Sequence, residues 1–445
     1  MGRVLYPRMG HEYPRIERGR GVYLYDDAGK RYLDGCSGAV VSNLGHGVEE
    51  IARVLARQAR EVAFVHRTHF ANPALEDLAR EMDLWTSPSL THSLYASSGS
   101  EAVELALKVA RQYALVTGQP GRYLALSRWN SYHGSTLGAL SLSGHVSRRR
   151  MMAPLLYRFP AVPPPYCYRC FGGLEPQECG LWCAHQLEVA LARVGAEHVA
   201  AFFLEPIIGA SRGAIVPPEG YLELVREICH RHGVLLVADE IMTGFGRTGK
   251  NFALDHWKVE PDVMTVGKGI AAGYASLAGV IVSDHVAETI SQGSGGFGPG
   301  HTFSNNPLAC ATGAAVLRHM REHRLVERAA RMEPVLREKL EEMADRRWSV
   351  GEIRGRGLLF GVEFVQCRQS RKPFDCAQDF TPRLMAECLR RGLVIYPAHG
   401  GAEDGRSGDA ILVAPPLVIS PEEIEELVDI LEASLAHLES LVAGA

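Results

Sequence analysis

The sequence predicts an α/β protein that is built around a mostly parallel sheet. Three observations lead to this prediction. From Leu94 onward, apolar runs of strand length alternate with helical patterns, as they do in βαβ units. A shorter α+β segment follows the long helix that begins at Leu308. Polar residues also come directly after several predicted strands, at the sheet edge where open α/β folds bind their ligands.

The composition is that of an ordinary globular protein. A chain of 445 residues exceeds what one small core needs, so we expect two or three domains. The net charge of −4 argues against a nucleic-acid partner, and the basic triplet Arg148–Arg150 indicates a solvated helix end or phosphate-side charge. Residues 1–8 lack the apolar core of a signal peptide, and no apolar run approaches the roughly 20 residues of a membrane helix. We therefore expect a cytoplasmic location without a membrane span.

The N-terminal part is predicted to contain a hairpin and two helices. The hairpin extends from Gly21 to Leu33, with its turn at Asp26–Lys30. A loop rich in Gly and Ser follows from Gly35 to Gly47. Apolar periodicity then predicts helices over Glu49–Ala63 and Ala74–Leu84.

The predicted sheet occupies the middle of the chain, and the α+β segment ends it. The sheet strands are Leu94–Ala96, Tyr123–Leu126, Ala201–Leu204, Val234–Ala238, Val263–Val266 and Gly279–Val282. Helices begin at Ser98 and Tyr221, and residues Pro160–Cys183 are irregular. The later elements are helices at Arg331–Arg346, Pro382–Arg391 and from Pro421, and strands at Leu358–Phe364, Leu393–Tyr396 and Ala410–Val413.

An amine and a carboxylate follow two neighbouring strands. Asp239 ends one apolar run, and Lys268 lies between two glycines after the next. Lysine is scarce in this sequence, and a desolvated lysine, unlike arginine, can lose its proton. A solvated lysine in a Gly-rich loop is the ordinary alternative. Glu205 follows a third strand in the same way.

Two further stretches suit a bound cofactor. Residues Ser98–Ser100 form a Ser/Gly turn at a helix N-terminus, which can bind a phosphate, although many such turns only cap their helix. Tyr132 follows a strand next to a glycine and can lie flat over a heteroaromatic ring. Together these features match pyridoxal 5′-phosphate, which needs a phosphate cradle, a stacking partner, a Schiff-base lysine and a carboxylate for its pyridine nitrogen.

At these residues the sequence resembles the class III (omega) aminotransferases, which are fold type I pyridoxal-phosphate enzymes. The matching stretches are Ser98–Ala102, Tyr132-His133-Gly134, Glu205-Pro206, Asp239–Ile241, Gly244–Gly249, Gly267-Lys268-Gly269, His301–Phe303 and Asn306–Leu308. The resemblance extends from about Tyr32 to Leu417. It implies a large domain with a mostly parallel, seven-stranded type of sheet over residues 61–318, and a small α+β domain made from residues 1–60 and 319–445.

The resemblance also implies roles for the matched positions. Lys268 would form the internal aldimine and later shuttle a proton, and Asp239 would pair with the pyridinium nitrogen. Tyr132 and Ile241 would pack on opposite ring faces, with Glu205 orienting groups nearby. Ser98, Gly99, Ser100 and His133 would complete the cofactor site. Thr302 would reach the phosphate from the neighbouring subunit, so the resemblance implies a homodimer, and pairing of dimers into tetramers is left open.

The expected reaction moves an amino group from an ω-amino acid or amine to a 2-oxo acid, with pyruvate as the expected acceptor, by a ping-pong mechanism. Arg406 lies in a Gly-rich loop and could hold the substrate carboxylate, or it could be a solvated loop residue. The loop that ends at Val40 lacks the aromatic residue of many relatives, which predicts a roomier substrate pocket. Decarboxylation or amino-group migration with the same cofactor is the alternative chemistry.

Four cysteines allow a different hypothesis. Cys167, Cys170, Cys179 and Cys183 have a spacing that could hold a structural zinc ion, although reduced thiols are ordinary in a cytosolic protein. The expected chemistry needs no metal. A zinc-stabilised, non-catalytic binding protein is therefore a third hypothesis, which would leave the residues at the strand ends unexplained.

Overall fold

The computed structural model describes residues 3–398 and 407–443. Its strands are β1 (Ile16–Arg20), β2 (Tyr23–Asp26), β3 (Arg31–Asp34), β4 (Leu90–Ala96), β5 (Leu124–Arg128), β6 (Ala161–Val162), β7 (Val199–Leu204), β8 (Leu235–Asp239), β9 (Val263–Val266), β10 (Ala278–Ser283), β11 (Val350–Arg356), β12 (Leu359–Phe364), β13 (Leu393–Val394), β14 (Tyr396–Pro397) and β15 (Asp409–Val413).

Thirteen α-helices accompany these strands in the described part of the chain. They are α1 (Ser37–Val40), α2 (Glu49–Glu61), α3 (Pro73–Asp83), α4 (Gly99–Val116), α5 (Leu137–Leu142), α6 (Val146–Arg149), α7 (Trp182–Val194), α8 (Tyr221–Arg231), α9 (Asp284–Ser294), α10 (Pro307–Glu322), α11 (Leu325–Arg346), α12 (Phe380–Arg391) and α13 (Pro421–Ala443). None of the helices in the residues that the structure describes is both long and apolar enough to cross a membrane.

The largest sheet has seven strands in the order β4-β10-β9-β8-β7-β5-β6. Only β10 runs against the other strands of this sheet. Strands β7, β8 and β9 are buried along their whole lengths, which explains why they read as continuous apolar runs. Helix α4 packs against β9 and β10. The carboxyl ends of β5, β7, β8 and β9 therefore lie side by side at one edge.

Two smaller sheets flank this one, each with four strands. In the first, β13 pairs in parallel with β3, with Leu393 opposite Leu33, so the two ends of the chain share one sheet. The second is antiparallel in the order β11-β12-β15-β14. The predicted strand Leu393–Tyr396 is thus two short strands that belong to different sheets.

All six predicted strands of the large sheet are present, with ends that shift by a few residues. The sequence patterns missed β1, β11, α7 and α9, the short helices α5 and α6, and also β6, the seventh strand of the large sheet, which lies in the region predicted to be irregular. Strand β11 has a mixed pattern of buried and exposed positions and carries several charged residues, so it lacks the apolar run that revealed the other strands. The division into domains at residues 60 and 318 remains a prediction.

Candidate active site

A cavity of about 200 Å³ opens at the edge where β5, β7, β8 and β9 end. Eight of the predicted site residues line it, and they come from five separate stretches of the chain. They are Gly99, Ser100, Tyr132, His133, Glu205, Asp239, Ile241 and Lys268. Because parallel strands end at a common edge, residues that are far apart in sequence converge here.

Lys268 follows β9 and begins a 3₁₀ turn, with a positive φ of 47°. A non-glycine residue in this backbone region is strained, and such strain tends to occur at functional sites. Burial lowers the pKa of the Lys268 amine to about 8, although Asp239 and Glu205 act in the opposite direction. Arg148 contributes a further lowering of this pKa. The neutral, nucleophilic form of this amine is therefore a much larger fraction near neutral pH than in an ordinary lysine.

Asp239 is the last residue of β8, and its side chain is held from two sides. Its Oδ2 atom lies 2.7 Å from Nδ1 of His133, and its Oδ1 atom accepts a hydrogen bond of 3.2 Å from the backbone N–H of Ile241. Both Asp239 and His133 are buried. A fixed, buried carboxylate of this kind can hold a proton on a heteroaromatic nitrogen.

Glu205 follows β7 and links two loops of the cavity wall. Its Oε1 atom accepts a hydrogen bond of 2.9 Å from the backbone N–H of Tyr132, and Oε2 accepts one of 3.0 Å from that of Gly209. Burial raises the pKa of Glu205, while nearby His133 opposes the shift. Glu205 therefore positions the backbone of Tyr132 from within the cavity.

The start of helix α4 forms one end of the cavity. Ser98 caps the helix by accepting a hydrogen bond of 3.3 Å from the N–H of Glu101, and Ser100 Oγ accepts one of 2.9 Å from the N–H of Ser135. A Cβ atom added to Gly99 would lie 2.9 Å from the Ile241 side chain. Only glycine allows this close approach, so the helix N-terminus and the Ile241 side chain share one small space.

One residue in this region was not predicted as a site residue. The guanidinium carbon of Arg148, in α6, lies 4.2 Å from the ring centroid of Tyr132, and Nη2 of Arg148 donates a hydrogen bond of 3.2 Å to the hydroxyl of Tyr396. The basic triplet of the sequence was expected to be a solvated helix end or a charge on the phosphate side. Arg148 does lie at a helix end, but it packs on the predicted stacking residue and influences the Lys268 amine.

Of the four remaining predicted site residues, three do not line the cavity in a single chain, and the fourth lies outside the described residues. Ser98 lies at the helix cap, next to the lining residue Gly99. Val40 is buried in an apolar cluster with Ile207, which does line the cavity. Thr302 is exposed. Arg406 lies outside the described residues.

The glycine motif after Asp239 is fixed by a buried arginine. Arg247 donates hydrogen bonds to the carbonyl oxygens of Leu358 (3.0 Å) and Pro415 (2.6 Å). It also donates to the side chains of Ser37 (3.1 Å) and Asn43 (2.8 Å). Burial lowers the pKa of Arg247 to about 9. This residue ties the motif to both terminal parts of the chain, so its role is to position the cavity wall.

Of the four clustered cysteines, Cys167, Cys170 and Cys179 lie between β6 and α7, Cys183 lies in the first turn of α7, and none of them lines the cavity. All four are partly buried and reduced. Burial raises the pKa of the Cys183 thiol to about 12, and Cys167 and Cys179 raise it further, which places these thiols near one another. Zinc binding by the cluster remains a prediction.

Comparison with known proteins identifies the family. A family profile described as aminotransferase class-III matches residues 6–435. The uncharacterised aminotransferase YodT of Bacillus subtilis is 42% identical over 98% of each chain. The putrescine–pyruvate aminotransferase of Pseudomonas aeruginosa is 36% identical over 93% of this chain and 88% of its own length.

A solved structure agrees with these sequence matches. The amine transaminase of an uncultivated Pseudomonas species, in its pyridoxal-phosphate-bound internal aldimine form, superimposes with a TM-score of 0.91 at 34% identity. The alignment covers 98% of this chain and 99% of that one. The chain belongs to the class III aminotransferases and has the fold of the type I pyridoxal-phosphate enzymes. It is therefore an aminotransferase, and the hypothesis of a non-catalytic protein is wrong.

Pyridoxal phosphate is the cofactor of this family, and the residues of the cavity fit it. Gly134 has a φ of +135°, and a Cβ atom there would lie 2.6 Å from Ser100 Oγ, so glycine keeps the space at the helix N-terminus open for a phosphate. The donor set is an amine at Lys268, a carboxylate at Asp239 and an aromatic ring at Tyr132. When bound, the cofactor draws electron density from the substrate Cα through its pyridinium ring.

Proposed function

We propose that this enzyme transfers an amino group from an ω-amino acid or amine to a 2-oxo acid, with pyruvate as the acceptor, in a ping-pong cycle. The observation that carries this proposal is the convergence of the Lys268 amine and the Asp239 carboxylate in one small cavity at the N-terminus of α4. A relative with 36% identity is named for putrescine and pyruvate, which supports the choice of donor and acceptor.

The roles of the residues follow from their contacts. Lys268 would hold the cofactor through its amine and would supply the base that moves a proton at the substrate Cα. Its lowered pKa of about 8 suits both tasks. Asp239, oriented by His133, holds the proton on the pyridine nitrogen. Ser98, Gly99 and Ser100 would bind the phosphate, and Tyr132 and Ile241 would hold the ring.

We propose that an arginine binds the substrate carboxylate, with Arg148 as the first candidate. The Arg148 guanidinium is bordered by the phenol groups of Tyr132 and Tyr396, and no carboxylate lies within 4 Å of it in the described part of the chain. A guanidinium without an acidic partner, next to a tyrosine that lines the cavity, favours an anionic substrate group there. Arg406, the predicted clamp, is retained as a second candidate, and Val40 helps to shape the pocket behind Ile207.

The same proposal includes the assembly and the location. A homodimer would bring Thr302 of the partner subunit to the phosphate, and its exposure in the single chain is compatible with that role. We further propose a cytoplasmic location. The molecular mass of the protein in solution tests whether it forms a dimer and whether dimers pair into a tetramer.

The test is a pair of half-reactions on the purified holoenzyme. Without an oxo acid, a donor amine should bleach the Schiff-base absorption band, and pyruvate alone should then restore it. Lys268→Ala should lack the band that borohydride fixes in the wild-type enzyme. Release of carbon dioxide, or steady turnover without an oxo acid, would instead identify a decarboxylase or an aminomutase. Steady-state kinetics that require a ternary complex would overturn the ping-pong cycle.

A further inference from the structure

Three side chains far from the active-site cavity have the arrangement of a metal site. Glu50 lies in the first turn of α2, His319 lies in the last turn of α10, and His323 follows that helix. One ligand atom from each residue lies within 4.8 Å of the other two. No other group of His, Cys, Asp or Glu meets this criterion among residues 3–398 and 407–443, and the cysteine cluster does not.

The spacing of the two histidines explains why they meet. Residues four apart lie on the same face of a helix, and the N–H of His323 donates a hydrogen bond of 3.0 Å to the carbonyl oxygen of His319. The two ring centroids are 4.1 Å apart, and the ring planes form an angle of 40°. Both imidazoles therefore present their nitrogens to the same small volume.

Glu50 completes the donor set from a different helix. Its Oε2 atom lies 2.7 Å from Nδ1 of His319. The basic residues of α10 are engaged elsewhere, because Arg318 pairs with Asp77 and Glu81 of α3 at 3.1 and 3.0 Å. Of the ion pairs within the described residues, the only one that includes Glu50 is the one with His319. The carboxylate is thus directed to the imidazoles and not to a neighbouring cation.

The donor atoms of these three side chains indicate which kind of metal ion the site would bind. Two imidazoles and one carboxylate are a donor set that zinc accepts, with the fourth position left to water. Since Glu50 and His323 lie near the surface, an ion can enter and small side-chain rotations can bring the ligands to bonding distance.

We propose that Glu50, His319 and His323 bind one divalent transition-metal ion of the zinc class, which fastens the start of α2 to the end of α10. The site is structural. None of its ligands lines the active-site cavity, so metal binding should stabilise the fold without changing the rate of amino transfer. The proposal does not depend on the identity of the substrates.

The experiment uses the full-length holoenzyme without a histidine tag, treated with a chelator and then dialysed. Calorimetric titration with zinc should show one binding site per chain, and saturating zinc should raise Tm by about 2 °C or more, since an ion that binds only the folded state stabilises it. The variants His319→Gln and His323→Ala should each weaken zinc binding by about 10-fold or more. Turnover with a fixed donor and acceptor should be equal with and without zinc.

Two controls separate this site from other ligands. The double variant His66→Ala/His69→Ala removes a pair of exposed histidines whose rings are 5.8 Å apart, and it should bind zinc like the wild type. The double variant Cys167→Ser/Cys170→Ser should also retain the site. If zinc binding persists in His323→Ala but disappears in the cysteine variant, or if zinc neither binds nor raises Tm, the proposal is overturned.

Discussion

At the scale of single residues, the site is defined by ionisable side chains that the fold buries. Lys268, Asp239 and Glu205 share one cavity, and each was suggested by its place after an apolar strand. The structure adds the side chains that interact with these residues, which the sequence could not identify. His133 contacts Asp239, and Arg148 adds a positive charge close enough to affect Lys268.

The lowered pKa of Lys268 predicts how cofactor attachment depends on pH. Only the neutral amine attacks an aldehyde, and its fraction increases as the pH rises through about 8. The rate at which the apoenzyme regains its Schiff-base band should therefore rise with pH, with a midpoint near 8, and level off above it. Lys268→Ala should show no such band at any pH. A midpoint near the ordinary lysine value would contradict the effect of burial.

The position of Arg148 predicts a change in substrate affinity. Arg148→Ala should raise KM for pyruvate by about 10-fold or more, because a charge-assisted hydrogen bond to the carboxylate is lost. The kcat should change much less, and KM for a donor amine without a carboxylate should stay near the wild-type value. Steady-state kinetics with both substrates varied give these constants.

Arg150→Ala is the matched control for Arg148, since Arg150 belongs to the same basic triplet and is exposed. It should leave both KM values unchanged. An equal rise of KM for pyruvate in the two variants would show that the effect comes from the general positive field of the triplet. An unchanged KM for pyruvate in Arg148→Ala would exclude Arg148 as the residue that binds the substrate carboxylate and would favour Arg406.

At the scale of elements, local patterns predicted the buried strands well and the irregular connections poorly. Strands β7, β8 and β9 are apolar on both faces, so their sequences identify them directly. The short helix α6, which carries Arg148 to Tyr132, has four residues and no apolar stripe. Only tertiary contacts define such an element, so no sequence pattern could have assigned Arg148 to the site.

Asp239, Glu205 and Lys268 were accessible to sequence reasoning because each lies at a strand end or within two residues of one, and Tyr132 follows its strand by four residues. The pairing of Ser100 with the backbone of Ser135 was not, since it joins segments that are 35 residues apart. The same holds for Arg247, whose partners Asn43 and Pro415 lie in the two terminal parts of the chain. Long-range polar contacts of this kind leave no local periodicity in the sequence.

Arg247 offers a test of how the elements are joined. Arg247→Met keeps an apolar stem but leaves the buried carbonyl oxygens of Leu358 and Pro415 without this donor, and unfolding should become easier by roughly 3 kcal/mol. The Tm of the holoenzyme should fall by several degrees. Arg57→Met, on the exposed face of α2, is the control and should leave Tm nearly unchanged. Equal Tm values for both variants would exclude Arg247 as a structural link.

At the scale of the whole molecule, the position of Thr302 bears on whether each active site is built from one chain or from two. In the single chain, the start of α4 and the segment after Tyr132 form the end of the cavity where we propose that the phosphate binds. Thr302 is exposed and does not line this cavity. If Thr302 of the partner subunit reaches the phosphate, each site depends on two chains. A homodimer would then be a condition of activity and not only of stability.

Subunit mixing tests this dependence with two inactive variants. Lys268→Ala lacks the anchoring amine, and Thr302→Asp places a negative charge where the phosphate of the neighbouring site should bind. In a mixed dimer, one site combines the intact Lys268 of one chain with the intact Thr302 of the other. Equal amounts that are unfolded together and refolded should therefore regain about one quarter of wild-type activity, because half of the dimers are mixed and each has one good site. Each variant refolded alone is the control. If both residues serve the same chain's site, every site in the mixture carries one defect, and no activity should return.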